Sequence, residues 1–256
     1  MMSTTYEIDP NGDIELVLRG PNTQKIIPAL PSVSDRTNEG DSDESDDESN
    51  ESDSEFDNPP CEGRYTIFSK FYSTDEGKPS LTDSEVRMRV SSRHLTLASR
   101  TFRAMLEGPW SEATSSSQPL RQIRTAGWDV MALSIVLDIV HGRHRGVPNA
   151  MNVGLLARIA TIIDYYEFHE AVHVYGNKWL RKARSLEKPF VEIGKRTLLW
   201  MFISRTFSDK TRFGGILLLY LNKGRALSQI DTFELPLAGL LETLEENRIA
   251  AIQNAL

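Results

Sequence analysis

His169-Glu170-Ala171-Val172-His173 is the segment of this chain whose residue types and spacing could do chemistry. On a helix, His169 and His173 stand one turn apart on one face, the separation at which two imidazoles hold Zn²⁺, with Glu170 beside them to activate water. Gly176 extends the match to the x-x-G that follows in some zinc peptidases. Such a centre needs a third protein ligand, and Trp179 stands three residues past Gly176 where His or Asp would be required. Glu192 is only a distant substitute. We read the segment as a coincidental match, with zinc peptidase activity as a remote alternative. His141 and His144 are three apart, but Gly142 between them should end a helix, so they fit a helix C-terminus where basic groups meet the negative end of the dipole. No glycine-rich phosphate loop, G-x-S-x-G elbow or Cys/His pair occurs. No catalytic, cofactor-binding or metal-ligating residue is therefore assigned, no cofactor is expected, and the chain is read as non-enzymatic.

The net charge of −7 over 256 residues hides a split. Residues 35–57 hold twelve carboxylates against one base, Arg36, and so carry −11, which leaves −7 + 11 = +4 on the remainder. A mildly basic body carries one strongly acidic tract, and attraction between them would be diffuse and screened by salt. Ser45, Ser52 and Ser54 each stand three residues before a carboxylate, the spacing that acid-directed kinases favour. Phosphorylation there would add nearly two charges each. The basic residues elsewhere, among them Arg121, Arg124, Arg143, Arg145, Arg181, Lys182 and Arg184, are spread over several elements with few aromatics between them, which argues against nucleic-acid binding. The lone cysteine, Cys61, rules out an internal disulfide framework and suits a reducing nuclear or cytoplasmic setting. No N-terminal apolar run resembles a signal peptide. Residues 198–203 and 216–221 fall well short of the roughly 20 apolar residues that span a bilayer, so a soluble intracellular protein with no membrane partner is expected.

These residues must be positioned by an α+β fold. Residues 13–18 alternate between Asn11-Gly12 and Gly20-Pro21 and predict a strand. From 21 to 60 periodicity is lost and too little apolar surface remains to offset chain entropy, which predicts disorder. Residues 65–71 read as a short strand. Residues 86–90 alternate strictly and should pair with 13–18, making the acidic tract an insertion between two sheet neighbours. A serine of the Ser91-Ser92 pair and Ser99 are candidate caps for two short helices on which Leu95, Leu97, Ala98, Phe102 and Leu106 would bury one side. Residues 115–119 read as loop and 120–125 as a further strand. Residues 129–140 are apolar on nearly every face, the mark of a central core helix, and Gly142 supplies its stop. Asn152 can cap a helix over 153–163, and 165–180 continues helical. Further helices are expected over 190–207, 213–221 and 237–256.

The run Val90-Ser91-Ser92-Arg93-His94-Leu95-Thr96-Leu97-Ala98-Ser99-Arg100-Thr101-Phe102-Arg103-Ala104-Met105-Leu106 resembles the central signature of BTB/POZ domains, most closely the form found in fungal proteins. Trp128 with Ile139-Val140-His141-Gly142-Arg143 resembles the fungal helix-then-HGR element. Leu155-Leu156-Ala157 and Ile162-Ile163-Asp164-Tyr165-Tyr166-Glu167 resemble the helix pair that follows. The fungal pattern also places a His-Glu-Ala-Val run where 169–172 lie. The likeness covers roughly 13–180 with the insertion skipped. It departs at Ser91, where many BTB domains carry His, and at Ser99-Arg100, where many carry Ser-Pro. Asp13 falls where an Asp is frequent, in some members part of a charged partner-binding pocket. The resemblance implies a small β-sheet capped by a helical cluster. Residues 1–20 would hold the N-terminal segment and first strand, and 21–85 a largely disordered acidic insertion. The main BTB/POZ domain would span 86–180, with a helical C-terminal extension over 181–256. It implies a protein–protein interaction module that binds other proteins as a self-associating scaffold or adaptor. As an alternative, it would recruit substrates to a cullin scaffold of a ubiquitin ligase.

Overall fold

In the computed structural model the described residues are 2–30, 56, 59–73, 81–108, 120–186, 190–191, 193–223 and 230–255. They form a mixed α+β fold built on a four-stranded sheet. The strands are β1 (Met2–Glu7), β2 (Ile14–Arg19), β3 (Ser84–Val90) and β4 (Arg121–Ala126), in the order β1-β3-β2-β4. β2 and β3 pair as expected, and the pairing is antiparallel, with Ile14, Leu16 and Leu18 opposite Val90, Met88 and Val86. All six are buried on one face of the sheet, because a period of two sends every second side chain the same way. The opposite face carries charged and polar groups around a buried Val17: Glu15 holds Arg87 at 3.0 Å and accepts a hydrogen bond from Gln122 at 2.7 Å. Strand β4 returns parallel to β2, and β1 lies parallel to β3 at the sheet edge. Sequence patterning missed β1, whose Ser-Thr-Thr run carries little apolar signal.

Between β3 and β4 come α1 (Ser92–Ala98) and α2 (Arg100–Glu107); after β4 come α3 (Val130–Val140), α4 (Val153–Tyr166) and α5 (His169–Leu186). Helix α3 is buried from Val130 to Ile139 and forms the centre of the core, as its all-round apolar sequence requires. Ser99, Asp129 and Asn152 cap α2, α3 and α4 by accepting from the backbone N–H three residues on. Ser91 stands at the N-cap of α1, but the serine cap expected for this helix does not form, since the Ser91 side chain makes no cap bond. Leu97 is also misplaced by the sequence reading. It sits two residues from buried Leu95, about 200° around the helix, and is 81% exposed.

Two further expectations are corrected. Residues Gly63–Phe71 form a 3-10 helix, not a strand. Tyr65, Phe68 and Phe71 recur every third residue and are all buried, while Ile67, which a strand would place with Tyr65, is 41% exposed. A three-residue repeat puts the aromatics on one side. The helix expected to run on through 165–180 is broken at Glu167, in the left-handed region at φ 57°. That turn sends Phe168 into the core against Phe102 and Tyr166.

The region expected to be disordered is folded where it is described. Ile26, Phe56, Tyr65, Phe68 and Phe71 all join the main core. Phe56 is fully buried and its backbone lies so close to Gly154 that a Cβ there would fall 2.0 Å from the Phe56 carbonyl oxygen. The rest of the acidic tract and the loop expected over 115–119 lie outside the described residues.

The C-terminal helices are α6 (Lys195–Thr206), α7 (Lys210–Lys223) and α8 (Ala238–Ala255). One hydrophobic cluster continues from Tyr6 through α3 and α4 into Leu198–Ile203 of α6, so the tail shares the core of the preceding residues. Backbone bonds between Ala29 and Asp231 tie the tail to the segment after β2.

Candidate interaction surfaces and the polar groups that build them

Two groups of polar residues set the geometry around the start of α1 and the end of α3. At the strand-to-helix junction Asp13 accepts from the Ser92 backbone N–H at 2.8 Å and its hydroxyl at 2.6 Å. It thus satisfies a helix donor that Ser91 leaves unmet. Partial burial works to raise the Asp13 pKa, but the Ser92 bonds outweigh it and hold the carboxyl below its ordinary value, helped by the charge of Arg121.

The Ser91 backbone N–H donates instead to His141 Nε2 at 2.9 Å, and His141 Nδ1 lies 2.7 Å from the Leu137 carbonyl. These partners assign the proton to Nδ1 and leave Nε2 as an acceptor, so the ring must be neutral. Burial lowers its pKa, and the neighbouring His94, 4.9 Å away between ring centroids, adds to the lowering. The HGR element therefore uses its histidine to lock the end of α3 onto the end of β3. Gly142 follows in the left-handed region at φ 74°.

One turn earlier on α3 lies Asp138, fully buried. Tyr6 of β1 and Tyr65 of the 3-10 helix donate their hydroxyls to its Oδ2 at 2.8 and 2.9 Å. Arg64 Nη1 is 3.3 Å from Oδ1, an ion pair without hydrogen-bond alignment, and the guanidinium lies 4.7 Å from the Tyr6 ring centre. Burial raises the Asp138 pKa against the pull of Tyr6, Arg64 and Tyr65, and burial with the Asp138 charge raises both tyrosines well above their ordinary value. In the sequence Asp138 stands alone with Ser134 as a polar residue inside the apolar run 130–140. A buried carboxylate needs partners, which could have prompted a search, but nothing in the sequence names Tyr6, Arg64 and Tyr65.

Beyond α3, Arg64 meets Gly142, Arg143, His144, Arg145 and Gly146 around an open cleft of about 590 Å³. His144 stacks on Tyr175 of α5 at 5.6 Å.

The H-E-x-x-H residues lie elsewhere in their surroundings. His169, Glu170 and His173 are exposed on α5, and His173 Nε2 contacts the Asn177 amide at 3.0 Å. Among the described residues no group of three or more His, Cys, Asp and Glu side chains is arranged to hold a metal. Glu192 lies outside the described residues. Gly176 has a packing use: a Cβ there would fall 2.3 Å from the Phe207 ring. The x-x-G part of the match thus serves the contact of α5 with the end of α6.

Leu97 on α1 is the most exposed large apolar side chain among the described residues, and Val174 on α5 and Val191 before α6 follow. The outer edge of β1 carries no strand partner among the described strands. No described helix is long and apolar enough to cross a membrane. No family model matches the chain, and no curated protein is similar to it.

Proposed function

We propose that this chain is a non-enzymatic protein–protein interaction module of the BTB/POZ type that self-associates as a scaffold or adaptor. The observation that carries the reading is the order of elements. Antiparallel β2 and β3 lead into the α1–α2 pair and β4 returns parallel beside β2; α3 then meets the apolar face, where Ser134 lies 4.0 Å from Met88 of β3, and α4 and α5 pack against α3. Two strands, a helix pair, a further strand and then several helices is the order of BTB/POZ domains. The buried positions of its signature run support the same reading: Leu95, Phe102 and Leu106 enter the core and Ser99 caps α2.

The surfaces available for pairing are the outer edge of β1, which presents unpaired backbone groups, and α1, where Leu97 stands clear of the core. Nuclear or cytoplasmic work belongs to this reading, with Cys61 as an inert thiol. Burial and the Asp129 charge push its pKa up to about 11, which keeps it protonated near neutrality.

The test is light scattering at ~50 µM, on the order of a weak interface's Kd. A dimer is expected for the full chain, and Leu97→Glu should shift it to monomer without lowering its melting temperature. A full chain that is monomeric at this concentration removes self-association, and a Leu97→Glu protein that remains dimeric moves the interface away from α1.

A further inference from the structure

We propose that the cleft between Arg64 and the Gly142–Gly146 turn is a binding site for a phosphoserine side chain within an acidic peptide. This does not rest on the BTB reading. The cleft is lined by three guanidinium groups and one imidazole, from Arg64, Arg143, Arg145 and His144, and contains no carboxylate among its lining residues.

Arg64 is preorganised. Its Nη2 donates to the Glu7 carbonyl at 3.2 Å, Asp138 holds Nη1, and the Tyr6 ring supports the guanidinium plane. Gly146 makes room for it, since a Cβ at that position would fall 2.9 Å from Arg64 Cδ. Asp138 balances one positive charge, which it shares between Arg64 and Arg143. Arg143 and Arg145 form no ion pair with a carboxylate among the described residues. Even a fully ionised Asp138 offsets only one of the three arginine charges and leaves the arginines of the site at a net +2.

A phosphate monoester fits this better than a single carboxylate. It brings close to two negative charges and three acceptor oxygens, enough to engage planar guanidinium forks from opposite walls. Gly142 and Gly146 add no side chain to the rim, and His144, Arg145 and both glycines are exposed, so a peptide backbone can cross the cleft. Acidic flanking residues would find Arg145 and His144 at that rim.

The experiment titrates a synthetic acidic peptide bearing one central phosphoserine, and its unphosphorylated twin, into the full chain at low salt with fluorescence anisotropy as the readout. The phosphopeptide should bind more tightly than its twin. Arg145→Glu should weaken it about tenfold, roughly the loss of one charge-assisted hydrogen bond, and Arg143→Gln should weaken it in the same direction. Arg100→Glu, on exposed α2, should leave it unchanged, and all three variants should keep the parent's circular dichroism. Equal binding of both peptides, or equal losses from Arg100→Glu and Arg145→Glu, would reduce the cleft to diffuse surface charge and overturn the proposal. Binding of phosphatidylserine vesicles in an Arg145-dependent manner, with no binding of the phosphopeptide, would overturn it in favour of a membrane surface.

Discussion

Asp138 and the His169–His173 segment are both polar groups on helices, and they sit at opposite extremes of the molecule. The histidines are conspicuous in the sequence, yet they project from α5 into solvent with one amide as partner. Asp138 is inconspicuous, yet it is wholly buried and joins three segments: β1 through Tyr6, the chain after the acidic tract through Arg64 and Tyr65, and α3. Spacing along a helix makes two side chains neighbours, but burial and convergence from other elements decide whether neighbours become a site.

The sharpest way to break this comparison is to remove the buried carboxylate. Asp138→Ala leaves two tyrosine hydroxyls and Arg64 without their partner, and should cost about 3–5 kcal/mol in urea unfolding. A loss below about 1 kcal/mol, the range of ordinary surface changes, would mean that water replaces Asp138 and that the node is not a clamp.

Next is the anchor at the far end of the acidic tract. Phe56→Ala should cost about 3 kcal/mol, within the range for a buried aromatic. Deleting 35–55 should be nearly silent in a thermal melt, because loop-closure entropy changes by only about 0.6 kcal/mol per twofold change in length. Deleting 35–57 should be as harmful as Phe56→Ala, because it takes the anchor with it. Equal melts for the two deletions would show that Phe56 contributes nothing.

A smaller effect belongs to His141. Its folded pKa lies below its unfolded one because of burial, so the unfolded chain takes up the proton first as pH falls. Stability is present above the unfolded value of about 6.5 and is lost as pH drops from there toward the folded pKa. Asp9 opposes this shift and His94 reinforces it. Protonation at Nε2 also forfeits the Ser91 bond, worth about 1 kcal/mol. Urea midpoints between pH 7.5 and 5 should fall more in the parent than in His141→Gln; parallel curves would assign the pH response to other groups.

The smallest effect is expected at the conspicuous site. His169→Ala and His173→Ala should each change stability by less than about 0.5 kcal/mol, as exposed substitutions do, and elemental analysis of the parent should find no stoichiometric zinc. Stoichiometric zinc lost in His173→Ala, together with loss of peptide cleavage, would reverse the comparison and restore the metal reading.

The sequence by itself determined the elements whose patterns repeat locally. Ile14, Leu16 and Leu18 alternate, as do Val86, Met88 and Val90, and this gave β2, β3 and their pairing. The apolar run of α3, with Asp129 before it and Gly142 after it, gave a buried helix with both ends marked. What the tertiary structure alone decided comes from distant partners. β1 has weak patterning and exists because β3 offers it an edge. Residues 65–71 alternate well enough to read as a strand, but Tyr65, Phe68 and Phe71 also recur every third residue, and the core that takes all three selects the 3-10 helix. Phe56 reads as one aromatic in an acidic stretch until Gly154 and Arg158 receive it. Asp13, Asp138, His141 and the arginines around Gly142 are separated by up to 132 residues from the groups they meet, as Tyr6 is from Asp138. Local periodicity carries no information about contacts at that range; they are fixed only when one shared core brings the elements together.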